Sequence, residues 1–279
     1  MVLSLFLSVC VRVGLWLKKD YIMKWTKEAE EAVSRVPFFV RKRVKKKVEE
    51  EAERNNSRVV TLDHVQNSQK RFLKEMDQEV KGFQVETCFG PSGCPNRAVD
   101  CEGMDQELEQ ELVKRDLKTF LKERVQGPLK MHHDFRVSLS CCPNACSRPQ
   151  IVDFGIIGIR HPKITEETCS QCRACIEVCK EDAIHIEESS EKPVIDFEKC
   201  LSCGQCITAC PTGTLDEDSQ GFRVLVGGKL GRHPQLGKDL GKIYSKEEMF
   251  KQLNHYLDLY QTHNQKGERL GEVLNRLRS

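Results

Sequence analysis

The chain has little net charge, because 44 basic side chains are nearly balanced by 42 acidic ones over 279 residues. The resulting formal charge of +2 creates no overall field that would attract nucleic acid. A chain of this length can bury a core large enough to fold without covalent cross-links. We therefore expect one or two domains and no nucleic-acid partner.

The start of the chain lacks two features of a secretory signal. The segment "MVLSLFLSVCVRVGLWLKK" has no basic residues before its apolar run and no small-residue cleavage site after it. The run is short for a membrane span, and Arg12 interrupts it with a charge that costs about 3 kcal/mol in a bilayer. We interpret residues 1–22 as a poorly structured extension or an over-long start of translation. A weak membrane anchor is the alternative, and the predicted location is the cytoplasm.

A nucleotide-binding loop is also missing. The segment "GGKLGRHPQLG" is rich in glycine and basic residues, but it lacks the Gly-Lys-Ser/Thr ending and the strand–loop–helix frame of a phosphate-binding loop. The basic run "RKRVKKK" is followed directly by "EEEAE", so we interpret it as the solvated face of a helix. Binding of a multiply charged anion by this run is the alternative.

The apolar patterns predict an α+β protein. Residues 24–76 favour three helices, with Thr26 capping the first, and they define a small helical domain at 23–78. Strands are predicted at 82–87, 135–140 and 151–159, and helices at 104–126 and 246–260.

Two runs of cysteine form an internal repeat. Both "CSQCRACIEVC" and "CLSCGQCITACP" follow Cys-x2-Cys-x2-Cys-x3-Cys, the spacing of bacterial two-cluster ferredoxins, in which the fourth cysteine ligates the other cluster. Zinc and disulfides are the alternatives, but zinc sites usually supply their ligands as two separated pairs. The predicted 4Fe–4S ligand sets are Cys169, Cys172, Cys175 and Cys210, and Cys200, Cys203, Cys206 and Cys179.

Four further cysteines stand in "CFGPSGC" and "CCPNAC". This Cys-x5-Cys and Cys-x3-Cys arrangement, within "SCCPNACSRPQIVDFGIIG", resembles the nitrite and sulfite reductase family. The resemblance implies a third 4Fe–4S cluster, with Cys146 bridging to the iron of siroheme. The implied ligands are Cys88, Cys94, Cys142 and Cys146.

The resemblance also implies a domain organisation. The block "GFRVLVGGKLGRHPQLGKDL" follows the ferredoxin repeats as it does in anaerobic and dissimilatory sulfite reductases. We therefore expect a sulfite reductase-type α+β domain at 79–161 and 220–279, with a ferredoxin domain inserted at 162–219. The helical stretch around "FVRKRV" separately resembles a small domain of a light-independent protochlorophyllide reductase.

A siroheme and anion site implies basic side chains, because the macrocycle carries many carboxylates. A surface ion pair is the alternative role for each candidate, and His132 or His133 is the predicted proton donor. The candidates are Arg97, Arg136, Arg148, Arg160, Lys229 and Arg232.

Three departures from the family pattern affect the prediction. Cys141 replaces a glycine, and Asp134 replaces a lysine that often faces substrate. One repeat is visible where larger relatives have two, so we expect a homodimer or a hetero-oligomer, with an incomplete siroheme pocket as the alternative. Cys101 is interpreted as a bystander, with substitution as a cluster ligand as the alternative.

These inferences together predict a siroheme enzyme with three 4Fe–4S clusters, working in the cytoplasm of an anaerobe. It would reduce sulfite, or less favourably nitrite, with electrons from a redox donor protein. The alternatives are a non-catalytic electron-transfer protein without siroheme, and a tetrapyrrole-handling or regulatory redox protein.

Overall fold

A computed structural model describes residues 23–187 and 192–278 of the chain. It contains two compact units with a boundary between Leu73 and Lys74. The predicted extension at 1–22 lies outside the described residues. Helices and sheets are mixed along the chain, which confirms the α+β class.

The N-terminal unit is a small helical body, and its three helices match the sequence pattern. Thr26 caps the first helix by accepting a hydrogen bond from the Ala29 N–H at 3.3 Å. Val48, Ala52 and Val60 are buried in its core. The sequence did not predict the short parallel pair β1–β2. The elements are β1 (Lys24–Trp25), α1 (Lys27–Ser34), α2 (Phe38–Arg54), β2 (Val59–Val60) and α3 (Leu62–Glu79), which continues past the unit boundary.

The second unit is built on a five-stranded sheet with the order β3-β4-β5-β8-β9. The first three strands are parallel, and β8 pairs with β5 in the antiparallel direction. The ferredoxin-type repeats lie in the long segment that connects β5 to β8. Its strands are β3 (Phe83–Thr87), β4 (Phe135–Ser140), β5 (Phe154–Ile164), β6 (Ile184–Ile186), β7 (Pro193–Ile195), β8 (Leu215–Val226) and β9 (Lys238–Asp239). Its helices are α4 (Met104–Val113), α5 (Leu117–Arg124), α6 (Ala174–Glu177), α7 (Gln205–Ala209), α8 (Lys246–His263) and α9 (Leu270–Arg278).

The two faces of this sheet differ. Alternate residues of β4, including Phe135, Val137 and Leu139, point into the main core with the apolar sides of α4, α8 and α9. The intervening residues Ser138 and Ser140 are polar and lie on the opposite face. One face therefore stabilises the domain, and the other is available to build a site.

The helix predicted at 104–126 is two helices, so that expectation was wrong. The chain turns at Asp116, which has a φ of 43°. Its side chain then accepts a hydrogen bond from the Thr119 N–H and caps α5. The left-handed backbone at this residue ends the first helix and starts the second.

A buried carboxylate joins the C-terminal helix to the sheet. Asp153, at the start of β5, accepts hydrogen bonds from the Arg136 N–H at 2.8 Å and the Leu270 N–H at 3.1 Å. The guanidinium of Arg269 pairs with the same carboxylate, which is 1% exposed. The ion pair is therefore shielded from water and positions α9 against β4 and β5.

Among the described helices, none combines the length and apolar character that would let it cross a membrane.

We predict that Asp153→Ala destabilises the protein by about 3–5 kcal/mol, because Arg269 is left as an uncompensated buried charge. Urea unfolding followed by circular dichroism under anaerobic conditions measures the effect. The control is Asp258→Ala, which removes a 65% exposed carboxylate paired with Arg115 and should cost about 0–1 kcal/mol. Equal shifts for the two variants would contradict the assigned role of Asp153.

Candidate metal centre

The four cysteines predicted as cluster ligands come from two distant parts of the chain and line one cavity, together with Cys141. Cys88 and Cys94 come from the loop after β3, and Cys142 and Cys146 from the loop after β4. The cavity encloses about 400 Å³, part of it open to solvent. Among the described residues, no three His, Cys, Asp or Glu side chains converge closely enough to bind a single metal ion. The thiols thus surround a space instead of meeting at a point.

Parallel pairing of β3 with β4 brings the two loops together. Thr87 is in register with Leu139, and the Cys88 N–H extends the pairing by donating to the Leu139 carbonyl at 3.1 Å. Beyond the strands, the Cys141 carbonyl accepts from the N–H groups of Ala98 and Val99 at 2.8 and 3.2 Å. Both loops therefore leave the same sheet edge and are hydrogen-bonded to each other.

A network of buried serines fixes the second loop. The Ser147 hydroxyl lies 2.9 Å from that of Ser138 and 2.7 Å from that of Ser140, and it donates to the Leu139 carbonyl at 2.8 Å. Sequence reasoning missed this network. The alternating serines of "FRVSLS" were its signal, because they lie on the face of β4 opposite the core.

Two glycines of β5 allow this loop to lie close to the sheet. A Cβ atom on Gly155 would come within 2.0 Å of the Pro149 carbonyl oxygen, and one on Gly158 within 2.8 Å of the Cys141 carbonyl oxygen. Side chains at these positions would therefore push the loop that carries Cys142 and Cys146 away from β5.

The thiols of this cavity interact electrostatically. Burial raises the pKa of Cys88 and of Cys142, and the neighbouring Cys88, Cys146 and Cys94 raise that of Cys142 further. Backbone donors act in the opposite direction: the Gly90 and Cys141 N–H groups lie 3.2 and 3.3 Å from Cys88 Sγ. A positively charged group in the cavity would favour the thiolates, as metal ligation requires.

The ferredoxin-type repeats share a backbone geometry as well as a spacing. In the first repeat Gln171 and Arg173 have positive φ angles of 54° and 61°, and the equivalent Ser202 and Gly204 of the second have 58° and 72°. The N–H of Gln171 lies 3.4 Å from Cys169 Sγ. That of Ser202 lies 3.4 Å from Cys200 Sγ. Each loop thus curls around its own first thiol with N–H groups directed inward.

The cysteines of these repeats are close neighbours. Burial, together with the nearby Cys200, Cys203 and Cys179, raises the pKa of Cys206 to about 12. Burial and the nearby Cys169 and Cys172 likewise raise the pKa of Cys175. The described cysteines are all free thiols.

Cys210 is an exception among these thiols. Burial opposes its ionisation, yet hydrogen bonds from the Leu215 N–H and from Thr212 lower its pKa overall. The corresponding Cys179 accepts a hydrogen bond from the Ala183 N–H at 3.4 Å. The fourth cysteine of each repeat therefore has a donor directed at its sulfur.

Strand β5 connects the two groups of cysteines. Gly158 packs against the Cys141 backbone, and two residues further on the Arg160 N–H donates to the Ser202 carbonyl at 2.8 Å. Arg160 also pairs with Glu217 at 2.6 Å and packs against Gly204. The second repeat loop thus lies beside the same strand as the four-thiol cavity, and Arg160 belongs to that junction.

The other candidate basic residues have different environments. Arg97 lines the cavity and lies 3.4 Å from Asp100. Arg136 is on the serine-bearing face of β4, and its Nε is buried without a hydrogen-bond partner among the described residues. Lys229 is paired with Glu272 at 2.6 Å and Arg148 with Glu86 at 3.6 Å. Arg232 is exposed.

The residues preceding β4 do not line the cavity. His133 accepts a hydrogen bond from the Lys130 N–H, and burial lowers its pKa to about 4. Burial lowers the pKa of His132 as well. Asp134 is 2% exposed and accepts hydrogen bonds from the Gly82 N–H and the Gln84 amide at 2.9 and 3.0 Å. Its carboxylate therefore supports the backbone and does not add negative charge to the cavity lining.

Comparison with known proteins agrees with this geometry. Residues 81–277 match the family described as the nitrite and sulphite reductase 4Fe-4S domain. Residues 25–68 match the proto-chlorophyllide reductase 57 kD subunit.

Individual relatives of the chain are sulfite reductases or subunits of them. The coenzyme F420-dependent sulfite reductase of Methanocaldococcus jannaschii is 34% identical over 68% of this chain and 28% of its own length. One of the subunits of the anaerobic sulfite reductase of Salmonella typhimurium is 26% identical over 44% of this chain and 36% of its own. The beta subunit of the dissimilatory-type sulfite reductase of Nitratidesulfovibrio vulgaris is 28% identical over 66% of this chain and 51% of its own.

The chain therefore spans about half or less of the length of each of these relatives. The family match covers most of the chain, includes all four cysteines predicted as cluster ligands at the cavity and confirms the resemblance read from their spacing. The chain belongs to the nitrite and sulfite reductase family.

Proposed function

We propose that the protein reduces sulfite, or less favourably nitrite, with a siroheme coupled to a 4Fe–4S cluster. The observation that carries this proposal is the meeting of Cys88, Cys94, Cys142 and Cys146 around one cavity. The two loops follow strands whose ends are more than fifty residues apart in the sequence. A purely structural role would not explain why four unbridged thiols from these loops meet at a partly open surface.

The donor set fits an iron–sulfur cluster. Thiolates are the usual ligands of such clusters, and hydrogen bonds to sulfur are among the means by which proteins tune them. Cys88 already has two backbone donors. We propose Cys88, Cys94, Cys142 and Cys146 as the ligands of this cluster. Cys146 is the most suitable bridge to siroheme, because it is exposed at the cavity whereas Cys142 is buried.

The neighbouring basic residues fit an anionic cofactor and substrate. Arg97 contributes a cation to the cavity lining. The buried Nε of Arg136 lacks a partner among the described residues, and an unpaired buried donor is costly unless a ligand satisfies it. We propose these two residues as the principal contacts to siroheme carboxylates or to substrate. Arg148, Lys229 and Arg232 remain weaker candidates, because they neither line the cavity nor have a buried donor without a partner among the described residues.

Siroheme, when bound, would supply an iron atom for the substrate and a conjugated path for electrons from the cluster. The residues of the chain hold and orient the reactants. Arg97 attracts the anion, Arg136 fixes a carboxylate, and the serine network keeps Cys142 and Cys146 in place. The histidines at 132 and 133 are poor proton donors near neutral pH because their pKa values are lowered.

We propose that electrons enter through two further 4Fe–4S clusters in the inserted ferredoxin domain at 162–219. The repeated backbone curl and the N–H groups directed at sulfur support ligation by Cys169, Cys172, Cys175 and Cys210, and by Cys200, Cys203, Cys206 and Cys179. The hydrogen bond from the Arg160 N–H to the Ser202 carbonyl supports a route through the second loop, because that loop lies beside β5. We therefore propose the set that contains Cys200 and Cys203 as the inner donor.

A single reductase repeat implies a partner. We propose a homodimer or a hetero-oligomer that completes the siroheme pocket, served by a redox donor protein in the cytoplasm. A second candidate function is an electron-transfer protein without siroheme, which the existing ion pairs of Arg148 with Glu86 and of Lys229 with Glu272 favour, because these two cations are already neutralised.

Replacement of the proposed bridging ligand separates these two functions. We predict that Cys146→Ser abolishes sulfite-dependent oxidation of reduced viologen and decouples the siroheme absorption band, while the ferredoxin-type clusters keep their signals. Anaerobic absorption and electron paramagnetic resonance spectra measure both. The control is Cys101→Ser, which changes a buried thiol outside the proposed ligand set. Unchanged sulfite turnover in Cys146→Ser would refute the ligand assignment.

Replacement of Arg136 gives a second test, in which siroheme binding should weaken while the stability of the cofactor-free protein does not fall. We predict that Arg136→Met weakens siroheme binding by roughly 10- to 100-fold, since a charged hydrogen bond contributes about 1.5–3 kcal/mol. The cofactor-free protein should lose no stability, because the substitution removes a buried Nε that has no hydrogen-bond partner among the described residues. Siroheme titration and thermal unfolding measure the two effects.

Arg124→Met, on the exposed last turn of α5, is the matched control and should bind siroheme normally. Equal siroheme affinity in the two variants would show that Arg136 does not contact the cofactor.

A further inference from the structure

The part of β5 that runs from the cavity to the second ferredoxin-type loop is short. Gly158 lies against the cavity loop, since a Cβ atom there would come within 2.8 Å of the Cys141 carbonyl oxygen. Two residues further on, Arg160 forms a parallel bridge with Cys203, and its N–H donates to the Ser202 carbonyl at 2.8 Å. Because a strand rises about 3.3 Å per residue, the two cysteine loops meet β5 roughly 7 Å apart along the strand.

The side chain of Arg160 attaches the second loop to its surroundings at three points. Its stem packs against Gly204, where an added Cβ atom would come within 2.8 Å of Arg160 Cδ. Its Nε donates to the Glu217 carboxylate of β8 at 2.6 Å, and a terminal nitrogen donates to the Thr208 hydroxyl of α7 at 3.3 Å. The guanidinium thus joins β8 to the helix that carries the proposed ligand Cys206.

The next residue adds a further attachment. His161 Nδ1 lies 2.9 Å from the Ser202 hydroxyl, and its ring stacks on that of Phe197 with the centroids 4.9 Å apart. Consecutive residues of a strand point to opposite faces. Side chains from both faces of β5 therefore hold the second loop.

The cavity end of this segment is held by apolar packing. Ile157 and Ile159 are buried and pack in one cluster with Ala145, which lies between Cys142 and Cys146 in the sequence. Loss of the polar attachment at Arg160 would therefore release the second loop and leave the cavity loop in place.

We propose that Arg160 is a positioning residue that fixes the separation between the inner cluster, on Cys200 and Cys203, and the third cluster at the cavity. The inference rests on the proposed function. In the step concerned, one electron from the redox donor passes from the inner cluster, which is oxidised, to the third cluster, which is reduced. The rate of such a transfer falls steeply as the separation grows, so a released loop would slow it without changing either ligand set.

The test follows reduction of the third cluster after oxidised full-length holoprotein is mixed with reduced methyl viologen, by freeze-quench electron paramagnetic resonance. The signal of this cluster is the one that Cys94→Ser abolishes. Cys203→Ser, which removes a ligand of the inner cluster, gives the rate of direct reduction by viologen. We expect Arg160→Met to slow the reduction toward that rate by roughly 10- to 100-fold, since a displacement of about 1 Å can slow a positioned reaction about 100-fold. Iron content and midpoint potentials should not change.

Two further variants separate positioning from general damage. Arg160→Lys keeps a cation beside Glu217, but its single amino group replaces a fork that also reaches Thr208, so the rate should be intermediate. Arg223→Met is the matched control, because Arg223 pairs with Asp239 at 2.6 Å and the exposure of this pair is similar. It should leave the rate unchanged.

The inference is wrong if Arg160→Met reduces its third cluster at the wild-type rate, or if Arg223→Met is slowed equally. It is also wrong if the wild-type protein is no faster than Cys203→Ser. Should Arg160→Met lose the inner cluster, Glu217→Ala decides, because it removes the ion pair while the Arg160 stem stays on Gly204. An unchanged rate in that variant contradicts the inference, and a slower one supports it.

None of these results affects the proposed third cluster. If the wild-type protein has no signal that Cys94→Ser abolishes, that cluster does not exist, and the proposed function fails together with the inference. This outcome is recognisable because the signals of the ferredoxin-type clusters persist alone.

Discussion

The parallel pairing of β3 with β4 is the constraint on which the candidate centre depends. It places Cys88 and Cys142 at the same edge of the sheet, and the Cys141 carbonyl then joins the two loops through the N–H groups of Ala98 and Val99. Without this register the four thiols would belong to separate turns. The buried Asp153–Arg269 pair and the serine network hold the surrounding backbone so that the cavity keeps its shape.

The two faces of the sheet have different roles, because side chains alternate between them along each strand. Phe135, Val137 and Leu139 fill the core, whereas Ser138 and Ser140 point toward the loop that carries the thiols. Strand β5 then continues from the cavity toward the second ferredoxin-type loop through Gly158 and Arg160. One strand thus contacts both groups of cysteines, as a path for electrons between clusters would require.

The sequence predicted what depends on local pattern or on cysteine spacing. The strands at 135–140 and 82–87 and the helix beginning at 246 follow from apolar periodicity, and the cysteine spacing pointed to the family. Long-range features were not predictable in this way. The Asp153–Arg269 pair joins residues 116 positions apart, and the break at Asp116 depends on a left-handed residue within an otherwise helical pattern. Arg160 could be assigned to the ferredoxin junction only from tertiary contacts.

The central claim is that a third iron–sulfur cluster is held by the thiols of the cavity. Iron and acid-labile sulfide measured in the anaerobically purified wild-type protein test it most directly. We expect about twelve cluster iron atoms per chain, four for each of three clusters, in addition to the siroheme iron. A value of about eight, with both ferredoxin-type clusters intact, would contradict the claim.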